Sequence, residues 1–214
     1  MNDNSNSFGE TNGPTSYYNT SSNARTNSIE NSYASIQVIP VPQSEQGLEI
    51  YSLLEKNCDL FFCKNKKVKE FLFSCKTHFF IFATNYKGGL YGTIGGIGDI
   101  QDDNYPIGYV SNDGRCGKIA NNLREFLQLI VFYPFWLDLL NCPEKERQQT
   151  AELLEKQRLE SIPNYLENQQ KIANTFHIQK RKDTIEILFS NLKQEHCFVV
   201  YATNKQHVQY ENLL

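Results

Sequence analysis

Nine of the chain's twelve glycines fall between residues 88 and 117, and this clustering constrains the fold more than any other feature. Glycine supplies the positive φ that tight turns need, so the middle of the chain reads as strands punctuated by turns. "HFFIFATN" (78–85) and "LYGTIGG" (90–96) are strand-like and flank "YKGG", whose Gly88 and Gly89 suit a hairpin. "YPIGYVS" (105–111) is the next strand. After it, the Asp113-Gly114 turn is expected to reverse the chain directly into a helix. Ile119, Leu123, Phe126, Leu127, Ile130 and Val131 fall at helical spacing, and Asn122 with Glu125 forms a capping box. The spacing thus predicts a helix from near Asn122, ended or kinked by Pro134.

The flanks are different in character. Residues 1–34 are mostly Asn, Ser and Thr, a composition that cannot offset its ordering entropy, and a disordered tail is expected. "SIQVIPVP" (35–42) is extended, because Pro40 and Pro42 keep it out of a helix. "SEQGLEIYSLLEKN" (44–57) carries a helical face at Leu48, Tyr51 and Leu54, with Ser44 as its cap. Further helices are expected from Pro143 and after Pro163, while "DTIEILFSNLK" (183–193) reads as helix or strand, with the helix preferred. Two short strands around an Asn204-Lys205 turn close the chain. These elements predict a single α+β domain over 35–214, with a core at 45–140, a helical and strand extension at 141–214, and a central, mostly antiparallel sheet.

Several function classes are excluded by what the glycines and charges fail to form. A P-loop needs a glycine five residues before Gly117-Lys118 and a Ser or Thr after it; Asn112 and Ile119 stand there. "GGIGDIQ" (95–101) has Gln101 where a dinucleotide fold needs its third glycine. The four histidines show no HExxH pairing, and Cys58 with Cys63 has no second pair at zinc spacing. The adjacent His196 and Cys197 would face opposite sides of a strand. No catalytic motif, metal site or cofactor site is expected, and the protein reads as a non-enzyme.

A net charge of -3 and a pI near 5.8 give no basic footprint for nucleic acid or membrane. The six cysteines, without an export signal in view, are expected to be reduced thiols of a cytoplasmic protein. The apolar run 126–140 is interrupted by Gln128, Pro134 and Asp138, so a buried segment is expected there and not a membrane span.

One polar cluster remains, "GDIQDDNYP" (98–106), with Asp99, Asp102 and Asp103 beside Tyr105. It reads as a solvated loop between strands. Calcium would need the EF-hand spacing and its closing glutamate, which are missing. It also reads as an acidic rim with an aromatic anchor facing a basic protein partner, since rims steer encounter while buried Tyr anchors carry affinity.

Taken together, Phe82-Ala83, Gly89, Tyr91, Pro106-Ile107, Asp113-Gly114, Ala120 and Glu125-Phe126-Leu127 form a series that resembles the SUKH superfamily. That family includes fungal cell-wall-assembly regulators and many bacterial immunity proteins of polymorphic toxin systems. The match covers roughly residues 45–140, and the closing "CFVVYATN" is similar to the last strand of longer members. The resemblance implies a non-catalytic, protein-binding α+β domain. Its partner would be a cognate toxin, such as a nuclease, neutralised by stoichiometric binding. The alternative it implies is a regulatory interaction protein of the cell-wall-assembly type. Asp99, Asp102, Asp103 and Tyr105 are the candidate partner-binding residues.

Overall fold

The computed structural model describes residues 35–65, 73–96, 104–194, 198–203 and 208–214. The elements run β1 (Ile36–Val38), α1 (Glu49–Cys58), β2 (Phe61–Phe62), β3 (Phe73–Cys75), β4 (Phe79–Thr84), β5 (Leu90–Ile94), β6 (Ile107–Val110) and β7 (Arg115–Ala120). The chain continues through α2 (Leu123–Phe132), α3 (Trp136–Leu139), a 3-10 turn (Glu144–Glu146), α4 (Arg147–Ser161), α5 (Tyr165–Thr175), α6 (Thr184–Leu192), β8 (Val200–Ala202) and β9 (Glu211–Asn212). The architecture is α+β, a mixed sheet packed by several helices. The expected N-terminal tail lies outside the described residues.

Strands β4 to β7 form the antiparallel centre of the sheet. At one edge β9 adds to β7 in parallel. At the other, β4 is shared by two short strands: β1 runs parallel to Phe79–Ile81, and β2 antiparallel to Ala83 and Thr84. Ile81 opposes Gly92 while Ala83 opposes Tyr91, so Phe82 is the extra residue of a bulge. The bulge lets two successive residues, Phe82 and Ala83, both join the core on the helix side.

Two apolar layers sandwich the sheet. On the helix side, Phe82, Tyr91, Ile107, Tyr109 and Ile119 pack with Leu54 of α1, Phe126 and Ile130 of α2, Ile172 of α5 and Leu188 of α6. On the other side, Phe79, Ile81, Ile94, Val110 and Cys116 meet Phe73, Cys75, Phe198 and Val200 from the separate β3–β8 ribbon. A Cβ on Gly108 would stand 3.0 Å from the Phe198 ring, so the bare glycine is what lets the ribbon seat so closely. Burying a side chain such as Phe198 or Phe126 contributes roughly 1.5–3 kcal/mol.

Helix α2 is buried from Phe126 through Phe132, as a helix apolar all round must be. The Asn122 Oδ1 accepts the Glu125 N–H at 2.8 Å, and the Glu125 carboxylate reaches back to the Asn121 N–H at 3.0 Å. The box expected from the sequence is therefore made, with its return bond displaced by one residue. Pro134 follows the end of α2, and the helices after Pro143, after Pro163 and over 183–193 are present. Helices α5 and α6 contribute Ile172, Ile185, Leu188 and Phe189 to the same core as α2, so the extension after residue 140 is integral to the layer.

Two expectations are corrected. Asp113-Gly114 does not lead into a helix: it is the tip of the β6–β7 hairpin, where the Ser111 N–H donates to the Arg115 carbonyl at 2.8 Å and Gly114 has φ 89°. The helix begins only after a further strand. Ser44 does not cap α1 either, because the chain makes two successive turns, Glu45 N–H to Pro42 O and Leu48 N–H to Glu45 O, before the helix starts at Glu49. The Asn204-Lys205 turn and the His196-Cys197 pair lie outside the described residues. Among the described residues that follow, Gln209 bridges Tyr201, and β9 then joins the main sheet.

Candidate functional site

The two ends of the central sheet carry different loops. One end holds the β5–β6 connection and the sequence-predicted site. Asp99, Asp102 and Asp103 lie outside the described residues, so of the four only Tyr105 is placed. Its half-buried ring lies over Gly96, where a Cβ would come within 3.2 Å of it. Nearby, the Gly95 N–H donates to the His78 carbonyl at 2.8 Å, and the Ser35 hydroxyl lies 2.8 Å from the exposed His78 Nδ1. Among the described residues no carboxylate is hydrogen-bonded to the His78 imidazole.

The opposite end is more fully built. There the β4–β5 tip, Asn85 to Gly89, lies beside the β6–β7 tip: a Cβ on Gly88 would be 3.7 Å from the Asn112 side chain. Asn85 opens the turn, and its carbonyl accepts the Gly88 N–H at 3.0 Å. Gly88, at φ 80°, supplies the left-handed residue such a turn needs. The buried Asn85 side chain works in both directions. Its Oδ1 accepts the Gly89 N–H at 2.7 Å, and its Nδ2 donates to the Tyr109 hydroxyl at 3.1 Å.

Tyr109 is itself fixed by aromatics. Its ring lies 5.0 Å from that of Tyr91 and meets Trp136 edge-on at 5.2 Å. Burial pushes the Tyr91 phenol well above its ordinary value, with hydrogen bonds from Trp136 and Asn85 pulling the other way. Tyr109 is also raised, by burial first, against the Asn85 hydrogen bond. Both phenols are therefore neutral wedges.

A third brace comes from α1. Asp59 ends that helix in the left-handed conformation at φ 54°, a position short polar residues tolerate. Its Oδ1 accepts the Tyr86 N–H at 3.0 Å. Burial raises the Asp59 carboxyl, opposed by that hydrogen bond and by Arg158 and Lys87. What this scaffold projects is the Tyr86 side chain, 73% exposed, with the Lys87 ammonium 5.8 Å from its ring centre. Sequence reading missed Tyr86 and Asp59. The signal it could have used was an aromatic inside an Asn-led, Gly-closed turn, where apolar residues seldom sit without a reason.

Three thiols, Cys58, Cys75 and Cys116, are buried in the same inert sense. Burial pushes Cys58 and Cys75 to about 12 and Cys116 to about 11. The five described cysteines are free thiols. Among the described residues no group of three or more His, Cys, Asp or Glu could hold a metal ion, and no helix is long and apolar enough to cross a membrane. No family model, curated protein or solved structure matches the chain.

Proposed function

We propose that the chain is a SUKH-like, non-catalytic protein-binding domain that neutralises a cognate toxin by stoichiometric binding from the cytoplasm. One observation carries the reading. The apolar residues on which the resemblance rests, Phe82, Ala83, Tyr91, Ile107, Ala120, Phe126 and Leu127, share one packed layer, where Phe126 lies 5.4 Å from both Phe82 and Tyr91, and Gly89 admits the Tyr109 wedge; Asp113-Gly114 and Glu125 lie outside that layer as a hairpin tip and a helix start. They serve architecture, which leaves the loops at the sheet ends free to carry specificity, and in such a design function lives in surface contacts. Asp99, Asp102, Asp103 and Tyr105 are the proposed contact set at the loop end, suited to a basic partner such as a nuclease.

The reading is tested by isolating the full-length chain with its bound partner and titrating the partner's toxic activity. Inhibition complete at one chain per toxin, weakened in the Asp99/Asp102/Asp103→Asn variant as salt-dependent steering is lost, is the expected result. A partner that is not toxic, or whose activity the chain leaves unchanged, sinks the toxin reading and favours a regulatory interaction protein.

A further inference from the structure

We propose that the β4–β5 tip is a second protein-docking surface, with Tyr86 as anchor and Lys87 as flanking charge, taking a partner surface that offers an apolar socket rimmed by carboxylates. The proposal rests on reading the chain as a protein-binding domain, but not on the acidic loop at the other end of the sheet.

The tip is rigid where it need not be. Asn85 is tied to Gly89 and Tyr109, Gly89 lies against the Tyr109 phenol, and Asp59 from another element holds the Tyr86 N–H. The coupled Asn85–Gly89–Tyr109 cluster and the separate Asp59 contact thus brace the backbone of an exposed turn. The side chain so presented is nevertheless left outside the core. Among the described residues, the other large hydrophobic side chains left exposed are aliphatic, such as Leu48, Leu153 and Leu166. An aromatic ring held out on a fixed backbone has only two side-chain torsions left to order on binding. That low entropic cost is why tyrosine is enriched among the few residues that dominate interface energy.

The neighbouring charges specify the socket. Asp113 accepts a hydrogen bond from the Ser111 hydroxyl and is neutralised within its own hairpin by Arg115, whose guanidinium lies 3.0 Å away. The Asp59 carboxylate is turned onto the Tyr86 amide. Lys87, exposed and close to the ring, is the charge that accompanies Tyr86 outward. A partner pocket that receives the ring must meet this ammonium at its rim, and a carboxylate there is the complementary group.

The test places the photo-reactive amino acid p-benzoylphenylalanine at position 86 or, separately, at position 105 of the full-length chain in its native lysate. The captured protein is identified, purified and titrated against the wild type and the Tyr86→Ala, Lys87→Glu and Tyr105→Ala variants. The expected result is a cross-link from position 86 to a peptide with Asp or Glu beside apolar residues. Tyr86→Ala should weaken binding by roughly thirtyfold or more, and Lys87→Glu by less, with a loss that shrinks as salt rises. Capture from position 105 alone, with Tyr86→Ala binding like wild type, overturns the tip surface and leaves the protein-binding reading standing. A cross-link between two copies of the chain overturns the stated partner. Capture from neither position removes the protein-binding reading itself.

Discussion

The Tyr109 hydroxyl occupies the space where a Gly89 side chain would begin: a Cβ built on Gly89 would stand 2.1 Å from that oxygen. The ring cannot swing aside, because it is 2% exposed and wedged between Tyr91 and Trp136. Substitution Gly89→Ala must therefore displace the phenol and break its bond to Asn85. Overpacking and the loss of a buried hydrogen bond together should cost roughly 2–4 kcal/mol. Urea unfolding monitored by Trp136 fluorescence checks this, and a loss under about 1 kcal/mol would show that the wedge yields easily.

The strand pattern around this wedge was legible in the sequence, because β4, β5 and β6 are dense in aromatic and β-branched residues and bounded by glycines. Strand β7 was not. Ile119 stands four residues before Leu123 and so falls in register with the helix that follows. "RCGKIA" also shows no clean alternation, because both of its faces are covered. Gly117 on one side lies where a Cβ would be 2.8 Å from Leu192, and the buried Lys118 donates to the side-chain oxygens of Asn121 and Gln194. Asn122 could be placed as a cap because capping is local chemistry. The turn around Tyr86 could be read locally, but its brace could not, since that comes from Asp59, 27 residues earlier in the chain.

Asp59 makes the stability of the tip depend on pH. Its carboxyl is raised in the folded protein, chiefly by burial, so the folded state binds its proton more tightly than the unfolded state does. The contribution of this group is then fully present below the unfolded value of about 3.9 and is lost as pH rises through the higher folded value. Substitution Asp59→Asn keeps an acceptor for the Tyr86 N–H but cannot ionise. Its stability relative to wild type should improve as pH rises from about 4 to about 7, whereas Asp59→Ala should lose the brace at every pH. Thermal melts across that range decide it, and a constant offset for Asp59→Asn would contradict the assignment.

Thiol reactivity should sort the cysteines by burial. Cys58, Cys75 and Cys116 are buried and have raised thiol values, so little reactive thiolate exists on any of them in the native state. Cys142 is partly exposed. Brief alkylation of the folded protein at mildly alkaline pH, followed by peptide mass spectrometry, should modify Cys142 well before those three. Labelling of Cys75 or Cys116 at the same rate as Cys142 would mean that the ribbon opens from the sheet on the labelling timescale.

The closeness of that ribbon to the sheet rests on Gly108 and Phe198. The Phe198 ring lies 4.8 Å from that of Phe79 and 3.0 Å from the position of a Gly108 Cβ. Truncation by Phe198→Ala removes a buried ring and should cost roughly 3–5 kcal/mol. Substitution Gly108→Ala pushes the same ring away and crowds Ile94, at 3.1 Å, with an overpacking cost of about 1–3 kcal/mol. The two effects must couple. Once the ring is gone, the added methyl is relieved of its contact with Phe198 and still meets Ile94, so the double variant should be less destabilised than the sum of the singles by at least about 0.5 kcal/mol. A double-mutant cycle by urea unfolding measures this difference directly. Strict additivity would mean that the ribbon is held by its other contacts and that Gly108 is set by the strand backbone alone.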